Sequence, residues 1–306
     1  MQEADSAVLV PIGRVVAELA NEYPDISHSS LRFLEREGLL VPTRTVGGHR
    51  LYSPAHIARL RQIKTWQQQN RTLAEIRERL RAVDDLDDSQ EIAGEFLRLA
   101  LAGEQYQAQR FILDTDSLGM PIQRMFEEVL ERALYALGDR WAAGEVTVAQ
   151  EKEVSALVRD LVAELSLRHS VPDVSEVVIV AACAPGEHHE LGLRMVAGLL
   201  HARGHHVHYL GPSVDPAFLV ESVLLRRPQV VLISATMSSF AGGVKLAIDA
   251  LRENLASQDL PVIVVGGQIV NGNHDLLSGW GAIPARKQHI GDTVRAVEAA
   301  IPAART

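Results

Sequence analysis

A group of residues in the last third of the chain has the types and spacing that could hold a metal-containing ligand. In chain order the group is Glu187, His189, Gly192, Ser234, Thr236, Gly266 and Gly267. An imidazole nitrogen is a good metal ligand, and a metal-bound histidine usually donates its other N–H to a carboxylate, here that of Glu187. The glycines remove side-chain bulk where a large ligand must approach the backbone. These residue types could therefore hold a metal-containing ligand, with the imidazole of His189 as the candidate metal ligand.

A parallel, doubly wound sheet is expected to position these residues. Apolar segments rich in β-branched residues alternate with helical patterns, as in parallel sheets covered on both faces. The predicted strands are 177–183, 206–210, 230–235 and 262–267, and the predicted helices are 190–203, 214–226, 240–256 and 291–300. Ligands of such sheets bind at the carboxyl ends of the strands. The expected site therefore lies in the loops 184–189, 211–213, 235–239 and 266–270.

The first 80 residues predict a small helical module with a hairpin. The predicted helices cover 11–20 and 27–38 and begin again at Ser53-Pro54 and at the capping box Thr72–Glu75. Between the second and third helices, Gly47-Gly48 predicts a tight turn joining two short strands within 41–52.

The middle of the chain predicts only helices. Residues 92–169 show helical periodicity, and four antiparallel helices would bury their apolar stripes. The acidic stretch 82–91 is typical of a linker. We therefore divide the chain into an N-terminal module at 1–82, a four-helix bundle at 90–170 and an α/β domain at 175–306.

The net charge of −9 is unevenly divided between these segments. Residues 1–80 carry +2 and the remaining residues carry −11. Residues 43–64 hold five Lys and Arg side chains and no acid. Because salt screens charges beyond ~10 Å, a locally basic surface can bind a polyanion on an otherwise acidic protein.

Several protein classes are disfavoured by composition. The single cysteine, Cys183, excludes a disulfide scaffold and a cysteine-based zinc cluster. The longest apolar runs are far shorter than the ~20 residues that a membrane helix needs. The first ten residues lack the basic and apolar regions of a signal peptide. We expect a cytoplasmic protein that does not enter a membrane.

The sequence SSLRFLEREGLLVPTRTVGGHRLY at 29–52 closely resembles the MerR family of winged helix-turn-helix proteins. The resemblance implies that the second helix enters the major groove of DNA, that the hairpin is a wing beside it, and that the module dimerises on palindromic promoter sites. Short polar residues at the start of the second helix are expected to contact base edges: Ser27, His28 and Ser29. Donors to the phosphates are expected on either side: Arg32, Arg44, His49, Arg50 and Tyr52.

The motif Glu187-x-His189-x-x-Gly192, followed by Ser234 and by Gly266-Gly267, resembles that of cobalamin-binding domains. The resemblance implies a flavodoxin-like (Rossmann-like) fold in which His189 replaces the cofactor's own base as the lower cobalt ligand. The displaced nucleotide tail would then lie in a groove between sheet and helices.

The order of DNA module, helical bundle and cobalamin domain resembles the CarH/LitR group of light-sensing MerR-type repressors. That resemblance implies adenosylcobalamin, an oligomer in the dark that represses transcription, and release by light. Members of the group carry W-x9-E-H in the bundle, and Trp141 and Glu151 have this spacing. The resemblance implies that Trp141 covers the upper face of the cofactor and that Glu151 accepts hydrogen bonds from the adenosyl ribose.

Two positions depart from the group's pattern. Lys152 stands where the motif has histidine, and Ala142 stands where light-sensing members carry a histidine that takes the upper cobalt position after photolysis. Lys152 keeps a hydrogen-bond donor and is expected to contact the cofactor, but a protonated lysine is a poor cobalt ligand, and alanine offers no donor. The bis-histidine photoproduct of the group is therefore not expected from these two positions, although cofactor binding is.

Five other histidines compete with His189 for a metal. His188 is adjacent, but its spacing does not fit the motif. His201, His205, His206 and His208 are clustered in sequence, yet strand alternation places His206 and His208 on one face and His205 on the other. We therefore predict that these residues are structural or lie at the surface.

The leading prediction is a non-enzymatic, cobalamin-dependent transcriptional repressor that binds double-stranded DNA as a dimer or tetramer and responds to light. One alternative is a DNA-binding regulator with a different signal. That signal would be another tetrapyrrole, or a partner protein that docks on a cofactor-free domain. A second alternative is a corrinoid subunit of a methyltransferase or mutase, for which the DNA-reading hairpin would have no use.

Overall fold

The structure is a computed structural model that describes residues 9–45, 47–84, 89–171, 177–285 and 289–304. It forms two compact units, Met1–Pro121 and Ile122–Thr306. The predicted linker at 82–91 and the hairpin tip include 85–88 and Val46, which lie outside the described residues.

The first unit contains a three-stranded antiparallel sheet and helices. Its elements are β1 (Val10–Pro11), α1 (Ile12–Leu19), α2 (His28–Arg36), β2 (Thr43–Arg44), β3 (Arg50–Tyr52), α3 (Pro54–Gln68), α4 (Leu73–Asp84), α5 (Ser89–Leu101) and α6 (Gln105–Ser117). The strand order is β1-β3-β2, and Arg44 pairs with Arg50 across the predicted hairpin. The four helices and the hairpin predicted for the first 80 residues are thus present. Strand β1 was not predicted, because two residues carry no periodicity.

Local signals fix the ends of these helices. Ser27 and Ser53 are the N-caps of α2 and α3, each accepting a hydrogen bond from a backbone N–H of the first turn. Gly38 follows the C-cap of α2 and has a φ of +69°. Glycine adopts this left-handed conformation without strain, so the chain can turn away from the helix here. The buried apolar faces meet in one core that includes Leu31, Leu34, Tyr52, Leu60 and Trp66.

The second unit is an α/β domain with additional helices before it. Its helices are α7 (Ile122–Arg124), which continues through a π-helical segment (Met125–Leu130) into α8 (Glu131–Ala142), then α9 (Val148–His169), α10 (Leu191–Ala202), α11 (Pro216–Arg226), α12 (Ala241–Asn254), α13 (His274–Gly279) and α14 (Ile290–Ala304). Its strands are β4 (Val178–Cys183), β5 (His206–Gly211), β6 (Val230–Ser234), β7 (Val262–Gly266) and β8 (Ile283–Pro284). Strand β8 was not predicted, because its two residues are too few for a strand pattern.

The five strands form a parallel sheet in the order β5-β4-β6-β7-β8. This order is that of flavodoxin-like folds, so the predicted doubly wound sheet is confirmed. Helices α11 and α12 pack on one face, and α10 and α14 cover the other, with α9 packed on α10. The register places Cys183 beside Ser234 and Ser234 beside Gly266 at the carboxyl ends of three adjacent strands.

The predicted bundle at 90–170 spans both units. Helices α5 and α6 belong to the first unit and α8 and α9 to the second, so the bundle and the three-domain division remain predictions. None of the helices in the described ranges is both long and apolar enough to cross a membrane.

Candidate functional site

A cavity of about 640 Å³ in the second unit is lined by α8, α9, α10, α14 and the carboxyl ends of the sheet strands. It brings together nine of the ten residues predicted to bind the cofactor: Trp141, Glu151, Lys152, His189, Gly192, Ser234, Thr236, Gly266 and Gly267. The tenth, Glu187, lies behind His189 and is fully buried. These residues come from strand ends and from helices far apart in sequence, so the fold, rather than the chain order, assembles them.

The carboxylate of Glu187 organises the loop after β4. Its Oε1 accepts a hydrogen bond from the backbone N–H of His189 at 2.8 Å and lies 2.7 Å from His189 Nδ1. Its Oε2 accepts hydrogen bonds from the backbone N–H and the hydroxyl of Thr236, at 2.6 and 2.5 Å. Thr236 follows β6, so one buried carboxylate ties together the two loops on either side of the switch point between neighbouring strands.

The electrostatics of this arrangement select one tautomer of His189. Burial raises the pKa of Glu187, but the hydrogen bonds from Thr236 and His189 outweigh burial and leave that pKa below its usual value. An ionised carboxylate only accepts hydrogen bonds, so Nδ1 of His189 carries the proton. The lone pair is then on Nε2, on an imidazole that is 66% exposed. This is the arrangement that a metal-ligating histidine needs.

The site glycines differ in what they accommodate. A Cβ added to Gly192 would meet nothing within 4 Å, so this position borders open space in the cavity. A Cβ on Gly266 would lie 3.0 Å from Thr293 Cγ2, and one on Gly267 would lie 2.1 Å from the carbonyl oxygen of Ala235. Gly267 also has a φ of +94°. Gly267 therefore allows two strand ends to approach closely, whereas only Gly192 leaves room directly for a ligand.

The helical side of the cavity carries an exposed indole and the ion pair of Glu151 with Lys152. Trp141, near the end of α8, is 51% exposed. On α9, Glu151 accepts a hydrogen bond from the Ser155 hydroxyl at 2.8 Å, and its Oε2 lies 3.3 Å from Lys152 Nζ. Ala142 lines the same cavity beside Trp141. A ligand in this cavity would meet an indole face and a carboxylate.

Several lining residues were not predicted from the sequence, among them Glu131, Tyr135, Ser155, Arg159, Glu190 and Thr293. Helical spacing could have found some of them, because Ser155 and Arg159 lie four and eight residues after Glu151 on α9. Glu131 is buried and accepts a hydrogen bond from the backbone N–H of Ile290 at 3.3 Å, at the start of α14. That contact joins residues 159 positions apart and has no local signal in the sequence.

The other histidines adopt different roles. His188 lines the cavity. His201 Nε2 lies 3.1 Å from the carbonyl oxygen of Val207, the rings of His206 and His208 are 4.6 Å apart, and His205 Nε2 lies 3.5 Å from Glu298. Across the described residues, no three His, Cys, Asp or Glu side chains are grouped to hold a metal ion.

The predicted base-contacting residues lie at the exposed start of α2. Ser27, His28 and Ser29 are all exposed. Ser27 also caps the helix, with its hydroxyl accepting a hydrogen bond from the backbone N–H of Ser30 at 3.1 Å. Arg32, one turn further along α2, and His49, beside β3, are exposed as well.

The two hairpin arginines share one carboxylate. Glu35, on α2, forms ion pairs with Arg44 of β2 and with Arg50 Nε of β3, the latter at 2.5 Å. The hydrogen bond from Arg50 lowers the pKa of Glu35 below its usual value, against a smaller opposing effect of burial. One carboxylate between two guanidinium groups leaves a local excess of one positive charge beside α2.

Tyr52 does not fit its predicted role. Its side chain is fully buried in the core of the first unit, with its ring edge-on to that of His56. The prediction that Tyr52 donates to a phosphate is therefore corrected, because a buried hydroxyl does not reach a ligand at the surface. The aromatic ring instead anchors the end of β3 in the core.

Residues 43–64 include no acid, but acidic side chains from other segments pair with the cations of this run. Arg61 pairs with Glu18 of α1 and with Glu22, which follows that helix, and Lys64 Nζ lies 2.6 Å from Asp25 Oδ2. The run therefore does not form a uniformly basic strip, although the hairpin keeps a positive excess because Arg44 and Arg50 share one carboxylate. The sequence does not reveal the pairings of Arg61 and Lys64, because their partner acids lie 39 or more positions away.

Three segments of the chain match models of known protein families. Residues 16–83 match the model of the MerR HTH family regulatory proteins. Residues 92–166 and 177–285 match two models, each described as a B12 binding domain.

Individual relatives agree with the family matches. Monomethylamine corrinoid protein 2 of Methanosarcina acetivorans is 26% identical over 49% of this chain and 72% of that protein. The structure of the Methanosarcina barkeri monomethylamine corrinoid protein has a TM-score of 0.58 at 20% identity, covering 71% of this chain and 99% of that chain, which bears on the fold alone. The HTH-type transcriptional repressor CarH of Myxococcus xanthus is 32% identical over 266 residues, which are 82% of this chain and 87% of the repressor. Since that similarity spans most of both chains and both kinds of domain match, the chain belongs to the CarH family of MerR-type regulators with cobalamin-binding domains.

Proposed function

We propose that the protein is a cobalamin-dependent transcriptional repressor that responds to light. The observation that carries the proposal is the pairing of His189 Nδ1 with buried Glu187, which leaves Nε2 as the free nitrogen of an exposed imidazole on a large cavity. One exposed imidazole nitrogen, oriented by a buried carboxylate, suits a cofactor whose metal takes a single ligand from the protein. The cofactor form that we propose is adenosylcobalamin.

The lining of the cavity fits this cofactor. His189 would be the lower cobalt ligand, and Glu187 and Thr236 would hold it in place. Gly192, Ser234, Gly266 and Gly267 would line the groove for the nucleotide tail, while Trp141, Glu151 and Lys152 would contact the upper ligand. When bound, the cofactor would supply a light-sensitive cobalt–carbon bond. The chain would supply orientation and an apolar cover.

The first unit would bind double-stranded DNA through α2 and the hairpin, as a winged helix-turn-helix. Ser27, His28 and Ser29 lie exposed at the start of α2, suited to base edges in the major groove. Arg32, Arg44, His49 and Arg50 would contact phosphates. We expect the operator to be palindromic, because a symmetric dimer or tetramer of the chain would present two such units.

Regulation requires that the cofactor favour one assembly state over another. We propose that the loaded protein is an oligomer that represses, with residues 90–170 acting as the bundle over the cofactor's upper face. The corrinoid-subunit alternative is less suitable, because residues 16–83 match a DNA-binding family. Sensing of another tetrapyrrole would be distinguished by the spectrum of the purified protein.

One experiment tests the proposal as a whole. Full-length protein is mixed with adenosylcobalamin in darkness, and its absorbance spectrum and its mass in solution are recorded before and after green light. We expect a bound cobalamin spectrum with His189 as a ligand and a mass that falls on illumination. Absence of a bound cobalamin spectrum would refute the cofactor, and a mass that never changes would refute the switch.

A further inference from the structure

A buried carboxylate outside the predicted ligand set joins α9 to the loop that carries His189. Glu190 directly follows His189, and its side chain is 8% exposed. Arg159 of α9 donates from Nε to Glu190 Oε1 at 2.7 Å, while Arg194 of α10 and Tyr209 of β5 donate to Oε2 at 3.1 and 2.5 Å. Three elements therefore converge on one residue of this loop.

The cluster is charged and closely packed. Burial raises the pKa of Glu190, but hydrogen bonds from Tyr209, Arg159 and Arg194 outweigh burial and leave that pKa below its usual value. The guanidinium carbon of Arg194 lies 4.9 Å from the centre of the Tyr209 ring. Glu187 fixes the loop just before His189, and Glu190 fixes it just after. The position of the imidazole is therefore set from both sides.

Arg159 connects this loop to the far end of the cavity. Glu151, Ser155 and Arg159 follow one another at four-residue intervals on α9, so they lie on one face of the helix, and all three line the cavity. The eight-residue separation of Glu151 and Arg159 corresponds to about 12 Å along a rigid helix. A displacement of α9 at Glu151 would therefore be carried to Arg159 and from there to Glu190.

We propose that Arg159, through Glu190, is a positioning residue that makes ligation by His189 depend on the placement of α9. Contacts to the upper face of the cofactor, made near Glu151, are thereby coupled to the lower ligand through one helix and one ion pair. This inference rests on the proposed function, because it requires a cobalamin that is bound by His189. It adds a regulatory connection between the two faces of the site.

The test uses full-length protein and hydroxocobalamin, which lacks the light-sensitive cobalt–carbon bond of adenosylcobalamin. Arg159→Gln removes the charge that holds Glu190, and we expect about tenfold weaker binding, as for other residues that orient a metal-ligating histidine. We also expect a smaller fraction of bound cobalamin with imidazole coordinated, seen in the absorbance spectrum. Arg159→Lys, which keeps a charged donor, should restore much of the imidazole-ligated fraction. Arg168→Gln is the matched control, since Arg168 pairs with Glu164 on the same helix, away from the lining.

The outcomes separate this inference from the proposed function. If the wild-type protein shows no imidazole-ligated cobalamin, the proposed function fails. If the wild type does, but Arg159→Gln gives the same spectrum and affinity, the coupling is refuted and the proposed function stands. Should Arg159→Gln fail to fold, Glu190→Gln keeps the shape of the side chain, and an unchanged spectrum there overturns the inference equally.

Discussion

Nδ1 of His189 lies 2.7 Å from Oε1 of Glu187, a carboxylate with no solvent exposure. The pairing determines which ring nitrogen is available, because the charged carboxylate holds the proton on Nδ1. One residue separates them in the chain, so the loop after β4 carries both the proposed metal ligand and the group that orients it. The remaining anchor, Thr236, comes from the loop after the neighbouring strand β6.

Replacement of His189 should abolish imidazole coordination. We expect His189→Ala to bind hydroxocobalamin far more weakly and to show a spectrum without a nitrogen ligand from the protein. His188→Ala is the matched control, because His188 lies on the same loop and lines the same cavity. Its spectrum should match that of the wild type. Loss of imidazole coordination in His188→Ala, with retention in His189→Ala, would reverse the assignment.

Two glycines of the site should respond oppositely to alanine. Gly267→Ala places a Cβ against the carbonyl of Ala235 at a residue with a φ of +94°, and should lower the free energy of unfolding by at least ~2 kcal/mol. Gly192→Ala, within α10, meets open space and should leave stability unchanged or raised by about 0.5–1 kcal/mol. It should nonetheless weaken cobalamin binding, because the added methyl occupies the cavity. Urea unfolding and cobalamin titration measure the two effects separately.

A different outcome is informative for each glycine. If Gly267→Ala unfolds like the wild type, the close approach of the two strand ends is not required for folding. If Gly192→Ala binds cobalamin as tightly as the wild type, the space beside this residue is not used by the cofactor.

Much of the cofactor site could be predicted from the sequence, because its key residues sit at strand ends. Apolar β-branched runs locate the strands, and parallel strands bring their carboxyl ends to one edge, so Ser234 and Gly266 become neighbours. What the sequence could not provide is the contribution of distant helices. Glu131 reaches Ile290 across 159 positions, and Arg159 reaches Glu190 across 31. Such contacts depend on helix packing, which periodicity alone does not specify.

The surface charge of the DNA-binding unit was harder to predict from the sequence than its helices and hairpin. Sequence motifs locate the helices and the hairpin well, yet charge counted along the chain was a poor guide to charge on the surface. The run at 43–64 has no acid in sequence, but acids from α1, α2 and the segment between them pair with its cations. Tyr52 likewise fits the motif, but its side chain lies in the core. The sequence could not show this, because a three-residue strand is too short for alternation to assign the face of each side chain.

The hairpin and α3 arginines should differ in their effect on DNA binding. Arg44 and Arg50 share one carboxylate, so the hairpin has an excess of positive charge. Arg61 contacts two carboxylates, so its surroundings have no such excess. Arg50→Ala should weaken binding to any duplex sequence and reduce the slope of log K against log salt by about 1. Arg61→Ala, the matched control from the same run, should leave that slope nearly unchanged. Fluorescence anisotropy with a random-sequence duplex at several salt concentrations measures both, and equal slopes for Arg50→Ala and wild type would contradict the phosphate contact.

The upper part of the cavity should gain a ligand when Ala142 becomes histidine. Of the histidines in the described residues, only His188 and His189 line the cavity, and both lie on the loop after β4. After illumination of the adenosylcobalamin complex, the wild type should therefore exchange its upper position readily with added imidazole. Ala142→His tethers an imidazole beside Trp141 at an effective concentration in the millimolar range, so it should show a two-imidazole spectrum and resist about millimolar added imidazole. Ala143→His is the control, because Ala143 is exposed but does not line the cavity. A two-imidazole spectrum already present in the illuminated wild type would contradict this prediction and would mean that His188, or a histidine outside the cavity lining, takes the upper position.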